Sequence, residues 1–190
     1  MPDTARMSHR PLSELEAGLE EVRQSPADTG TLRAIVRRPA TDERELTDVA
    51  QLNADDGLVG DTWKARGSRS TADGSADRTA QVTLMNARLA ELITGSPDPA
   101  HWAIAGDQLY VDFDLSEANL PPGTRLVIGD AELEVSATPH TGCAKFSARF
   151  GVDALRLVST PEGRAMRLRG MNATVVRTGT VRQGDRVTKI

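Results

Sequence analysis

The stretch "DQLYVDFDL" (residues 107–115) constrains the fold more than any other part of the chain. Leu109, Val111, Phe113 and Leu115 fall at every second position, with polar residues between them. That is the period of a half-buried β-strand, since successive side chains leave a strand on opposite faces. Two further runs carry the same signature. "TRLVIGDAELEVSA" reads as two short strands around Gly129-Asp130, a turn-forming pair. "NATVVRTGTVRQGDRVTKI" repeats that arrangement, with "QGD" joining two β-rich runs. "TLRAIVRRP" adds a strand ended by Pro39, and "QVTLM" a buried one. Many short antiparallel strands and few long helices predict a mainly β fold with peripheral helices, a small β-barrel.

Helical signals flank this frame. In "LSELEAGLEEVRQS", Leu15, Leu19 and Val22 recur at helical spacing, and Ser13 with Glu16 reads as a capping box. "NARLAELITG" reads as a short helix with Asn86 as N-cap and Gly95 beyond its end. "TDERELTDVAQL" suggests a short polar helix, and "SRSTADGSADRTA" a surface loop. No linker divides the chain, so residues 1–190 read as one domain, with residues 1–30 as a helical N-terminal extension.

The chemistry concentrates in "ATPHTGCAKFSARFG" (137–151), which holds the single cysteine, Cys143, three residues after His140. One cysteine excludes an internal disulfide. The N-terminal residues lack the apolar core of a secretory signal, so the cytoplasm is the expected location. No stretch approaches the roughly 18 apolar residues of a membrane span. A structural zinc site is not expected, because four N/S ligands are needed and the chain offers one Cys and three His. A thiol nucleophile beside a base is the second reading: His140, Lys145 and a helix beginning near Ala144 would each favour thiolate. A buried cysteine acting as a small hydrophobe is the plain alternative.

Charge is unevenly spread. From His140 onward there are ten Lys/Arg against three Asp/Glu, whereas the first 139 residues hold thirteen against twenty-four. The basic part either faces something anionic or packs on the acidic part. A nucleic-acid partner is not expected, since the basic residues are dispersed and aromatic residues are only 3%. Within "RAMRLRGMN", Arg167 and Arg169 would share one face if the run were a strand, giving a two-pronged anion contact. Asp112 and Asp114 share a strand face and read as a solvated edge. The "EANLPPGTRL" loop reads as a rigid connection with Asn119 free to bond backbone or ligand.

Read together, "EANLPPGTRLVIGDAELEVS", "PHTGCAKF", "RFGVDALRLV" and "RLRGMNATVVRTGTVRQGDRV" resemble the MOSC domain, the family named after the C-terminal domain of molybdenum cofactor sulfurases. The resemblance is strongest over residues 80–190. Residues 1–60 match loosely. It implies a MOSC-like β-barrel and places the family's cysteine at Cys143, as a molybdenum ligand or a persulfide acceptor. Glu117, Ala118, Asn119 and Leu120 fall on the family's Gly-Glu-Asn-Leu stretch, with alanine in place of glycine. His140 stands near where many members carry an arginine.

The resemblance implies a molybdenum cofactor (molybdopterin), whose phosphate would lie among Lys145, Arg149, Arg167 and Arg169, with Asn119 and Asn172 shaping the pocket and His140 orienting Cys143. Nothing resembles a pyridoxal-phosphate desulfurase domain, so a sulfur-carrying role would need a separate desulfurase as donor. An oxidoreductase role, like that of amidoxime-reducing members, would need an electron-donor protein. A non-catalytic barrel binding an anion or a protein partner is the competing reading, and oligomeric state is not encoded in any motif.

Overall fold

The computed structural model describes residues 8–190; the first seven residues of the expected N-terminal extension lie outside them. In chain order the strands are β1 (Thr29–Arg37), β2 (Glu45–Thr47), β3 (Val49–Asn53), β4 (Gly57–Leu58), β5 (Val82–Asn86), β6 (Leu109–Asp112), β7 (Arg125–Ile128), β8 (Ala131–Val135), β9 (Met171–Arg177), β10 (Gly179–Arg182) and β11 (Arg186–Lys189). The helices are α1 (Leu12–Arg23), α2 (Trp63–Arg66), α3 (Ala87–Thr94), α4 (Pro99–Trp102), α5 (Ala144–Phe150), α6 (Val152–Ser159) and α7 (Pro161–Ala165).

Seven strands close into a barrel in the order β11-β7-β8-β9-β5-β6-β1, and β1 pairs back to β11 from Thr29↔Thr188 to Thr31↔Arg186. Closure removes the exposed edges that an open sheet of short strands would present. Neighbours are antiparallel except β5 and β6, which run parallel and are joined across α3. β2 pairs only with the far end of β1, and β3, β4 and β10 form a separate three-stranded sheet.

Alternation fills the barrel. Leu32, Leu84, Leu109, Val111, Leu126, Leu133 and Val187 point inward with no exposed surface. Each such burial is worth about 1.5–3 kcal/mol. The opposite faces of β1, β5 and β6 are buried as well. Ala34, Val36, Met85 and Tyr110 meet a second core formed by α1, α3 and α6 with Phe146 and Trp102. Strand β6 is therefore buried on both faces, not half-buried as its alternation predicts. The even-numbered Tyr110 donates its hydroxyl to the Trp102 carbonyl at 2.8 Å beneath the helical layer.

Several local expectations hold. The Gly129-Asp130 hairpin joins β7 and β8, and Asn86 caps α3 by accepting from the Arg88 and Leu89 amides, with Gly95 left-handed at its end. Others do not. Helix α1 starts at Leu12 behind Pro11, with no side-chain cap, so the Ser13/Glu16 capping box does not form. Residues 29–30 already belong to the barrel, and α1 packs on α3 and α6 rather than extending away. The segment 41–52 contains β2 and β3, not a helix, because Ala50 and Leu52 alternate into the core. The "QGD" turn joins β10 to β11, but these strands lie in different sheets and form no hairpin.

Candidate functional site

Strands β5 and β9 form the wall on which the site is built. Their inward residues Val82, Leu84, Met171 and Ala173 lie in the barrel core, so the register partners Thr83 and Asn172 point outward. Outside this wall lies a cavity of about 360 Å³. Helix α5 borders it with Cys143, Lys145, Phe146 and Arg149, and the 38–44 segment with Arg38, Asp42 and Arg44. Cys143 is exposed at the start of α5, with its carbonyl accepting from the Ser147 amide at 3.0 Å. It is therefore not a buried apolar filler.

The back of the cavity is a buried polar cluster. Asp107, with no side-chain exposure, accepts from Arg169 Nη1 at 2.7 Å, and its other oxygen lies 3.5 Å from His140 Nδ1. The Arg169 guanidinium also sits 5.0 Å from the Phe146 ring centroid, a cation–π contact. Asp107 Oδ1, His140 Nδ1 and Arg169 Nε have no hydrogen-bond partner among the described residues. Burial pushes the His140 pKa down from 6.5 to about 4; the Asp107 charge opposes this, and Arg169 and Arg38 reinforce it. His140 is thus neutral at physiological pH, a base without its proton. Asn172 fixes the segment carrying His140 by donating to the Thr138 carbonyl at 3.1 Å.

Cations dominate the rest of the lining. Arg38, Arg44, Arg66, Lys145, Arg149 and Arg169 all border the cavity. Arg38 is tied to Asp61 by two 2.8 Å bonds, and Lys145 and Arg149 share Asp42 at 3.7 and 3.5 Å. Six cations against Asp42, Asp61 and Asp107 leave three positive charges in excess. Burial lowers the Arg44 pKa, and the positive Arg149 and Arg38 lower it further. Arg66 is shifted the same way by burial and then by Arg38. Clustered like charges of this kind repel one another until an anion enters. Gly106 permits the crowding: at φ 88°, its missing Cβ would come within 3.2 Å of Arg44 Nη2.

The structure thus brings Cys143, His140, Lys145, Arg149, Arg169 and Asn172 to one cavity. Two of the expected cofactor-binding residues lie elsewhere. The run 161–170 is a short helix and a turn, not a strand, so Arg167 and Arg169 do not share a strand face. Arg167, at φ 48°, donates instead to the Leu115 and Leu120 carbonyls. Asn119 donates to the Ala27 and Asp114 carbonyls and accepts from Lys189 Nζ at 2.7 Å, holding its own loop away from the cavity. Asp112 pairs with Arg88 on the protein surface. Arg38, Arg44, Arg66 and Asp107 escaped notice in the sequence. The first two lie in "RRPATDER", where charge reads as solvated surface, and Asp107 directly precedes β6 with no motif around it.

Among the described residues no group of three or more His, Cys, Asp or Glu could hold a metal ion, and no helix is long and apolar enough to cross a membrane. The fold is similar to that of the YuaD protein from Bacillus subtilis, with a TM-score of 0.62 at 17% identity over 85% of this chain and 95% of that one. It is also similar to YiiM from Escherichia coli, with a TM-score of 0.54 at 17% identity over 84% and 69% of the two chains. At such identities the likeness concerns the fold alone. No curated protein matches the chain. The family model for the MOSC domain matches residues 75–188, spanning the wall strands, Asp107, Cys143 and Asn172. The match covers more than half of the sequence, and the chain belongs to the MOSC domain family.

Proposed function

We propose that the Cys143 cavity binds a phosphate-bearing molybdenum cofactor, with the Cys143 thiolate as a ligand to the metal. The observation that carries this reading is the coincidence of one accessible soft donor with an excess of three positive charges around a single cavity. The residues fit the group. Thiolate sulfur suits molybdenum, and arginine forks suit phosphate. The buried Nε of Arg44 is a donor without a partner among the described residues. The chain supplies one metal ligand, so the others must come with the cofactor.

Bound there, the cofactor would supply a redox-active centre with affinity for sulfur. Arg44, Arg66, Lys145 and Arg149 would neutralise the phosphate and relieve their own repulsion. Arg169, held by Asp107, would keep one fixed positive charge at the back of the cavity. The proton released when Cys143 ionises would pass to solvent, because buried His140 stays neutral down to about pH 4. Molybdenum-dependent oxidoreductase activity would then require an electron-donor protein. The test is molybdenum per chain after purification from a molybdenum-replete, cofactor-producing host. Wild type should load near-stoichiometrically, and Cys143→Ser should lose the metal with its circular dichroism unchanged. Equal loading would sink the assignment.

The exposure of Cys143 favours a second reading, a sulfur carrier. The Cys143 thiolate would attack the terminal sulfur of a donor persulfide, forming a Cys143 persulfide and releasing the donor as its thiolate. Cyanide-labile sulfur on wild type but not on Cys143→Ser, without molybdenum on either, would favour this role.

A further inference from the structure

Beyond His140 and Arg169 lies a larger cavity of about 590 Å³. The 136–142 segment borders it on one side and the connection from α7 to β9 on another. His140 and Arg169 line both cavities, so the buried cluster with Asp107 is a shared partition. Cys143 lines only the smaller one.

The two linings differ in kind. The larger cavity has an apolar part in Pro122, Pro139, Val158 and Met171. Its cations are Arg164, Arg167 and Arg169, and its one acid is Glu117. Arg167 is held to two backbone carbonyls through Nη1 and forms no ion pair among the described residues. Burial lowers its pKa, with Glu117 opposing. The Arg164 side chain is exposed and has neither an ion-pair nor a hydrogen-bond partner among the described residues. Arg169 Nε is buried on the partition without a partner among the described residues. Guanidinium groups beside an apolar lining fit a ligand with one anionic end and an apolar body.

We propose that this second cavity binds a small organic carboxylate, seated across the His140–Arg169 partition from Cys143. Arg164 and Arg167 take the carboxylate, and Val158, Met171 and the two prolines take the apolar body. Binding of this class stands on the cavity alone. Its designation as the substrate side of the Cys143 centre rests on the proposed function.

The test is a ¹H–¹⁵N titration of the full chain with 2-naphthoate and with its uncharged twin, 2-naphthamide. Naphthoate should give saturable shifts at the Thr138, Thr141, Ser159 and Gly163 amides, and naphthamide should bind about tenfold more weakly or less. Arg164→Gln, which removes no side-chain hydrogen bond or ion pair among the described residues, should weaken naphthoate by about tenfold. Equal binding of the amide, unchanged affinity in Arg164→Gln, or shifts centred on Thr41, Gly106 and Lys145 would each overturn the proposal. Cys143→Ser should leave the titration unchanged. Naphthoate binding without molybdenum loading would count against the proposed function alone; loading without naphthoate binding would count against this inference alone.

Discussion

Substituting His140 exposes the electrostatics of the site in a measurement that needs no cofactor. Burial holds the imidazole at about 4, against 6.5 in the free side chain. Below 6.5 the unfolded chain takes up a proton that the folded chain refuses until about 4. Stability therefore falls as the pH drops through that window and is unaffected by this group above it. From those two values, His140 costs the folded state about 2 kcal/mol at pH 5 and about 3 kcal/mol below pH 4. Asp107, Arg169 and Arg38 are the charged groups acting on it, and all remain in His140→Gln. Urea unfolding of both proteins between pH 7.5 and 4.5 isolates the contribution of the imidazole. Wild type should lose about 2 kcal/mol more than His140→Gln between pH 7 and pH 5. Parallel pH profiles, or an NMR midpoint for His140 near its free value, would refute the buried neutral base.

Two further substitutions test the frame behind the cavity. Asp107→Ala leaves Arg169, only 9% exposed, without its carboxylate, and should lower unfolding stability by about 3–5 kcal/mol in chemical denaturation. Gly170→Ala sets a Cβ 2.4 Å from the Leu84 carbonyl oxygen at φ 108°. A loss of at least about 2 kcal/mol is expected, and a neutral result would mean that the turn into β9 is not held as tightly as described.

The barrel was legible because its signal is local. Alternation in "DQLYVDFDL" and the Gly129-Asp130 turn each specify an element within ten residues. The site was legible only in part. Cys143, His140, Lys145, Arg149 and Asn172 lie in or beside two short motifs, so their neighbourhood survives translation into three dimensions. Arg38, Arg44 and Arg66 reach the same cavity from a segment with no motif, delivered by the end of β1, the 38–44 segment and α2. Nothing in the spacing of "RRPATDER" tells that strap from a polar helix. Ala50 and Leu52 become core residues only once β3 pairs with β10. Arg167 misled for a related reason: two positions of separation imply a shared face only in a strand, and the chain there turns through a left-handed residue.

Arg44 and Arg66 offer the most direct test, because they join Cys143 only through the fold and carry no ion pair among the described residues. Molybdenum per chain should be measured for wild type and for Arg44→Gln/Arg66→Gln purified together from a cofactor-producing host. A cavity that holds the cofactor by its phosphate predicts that the double variant folds normally and retains less than about a tenth of the wild-type metal. Equal molybdenum in both proteins would place the cofactor elsewhere and contradict the assignment of this cavity.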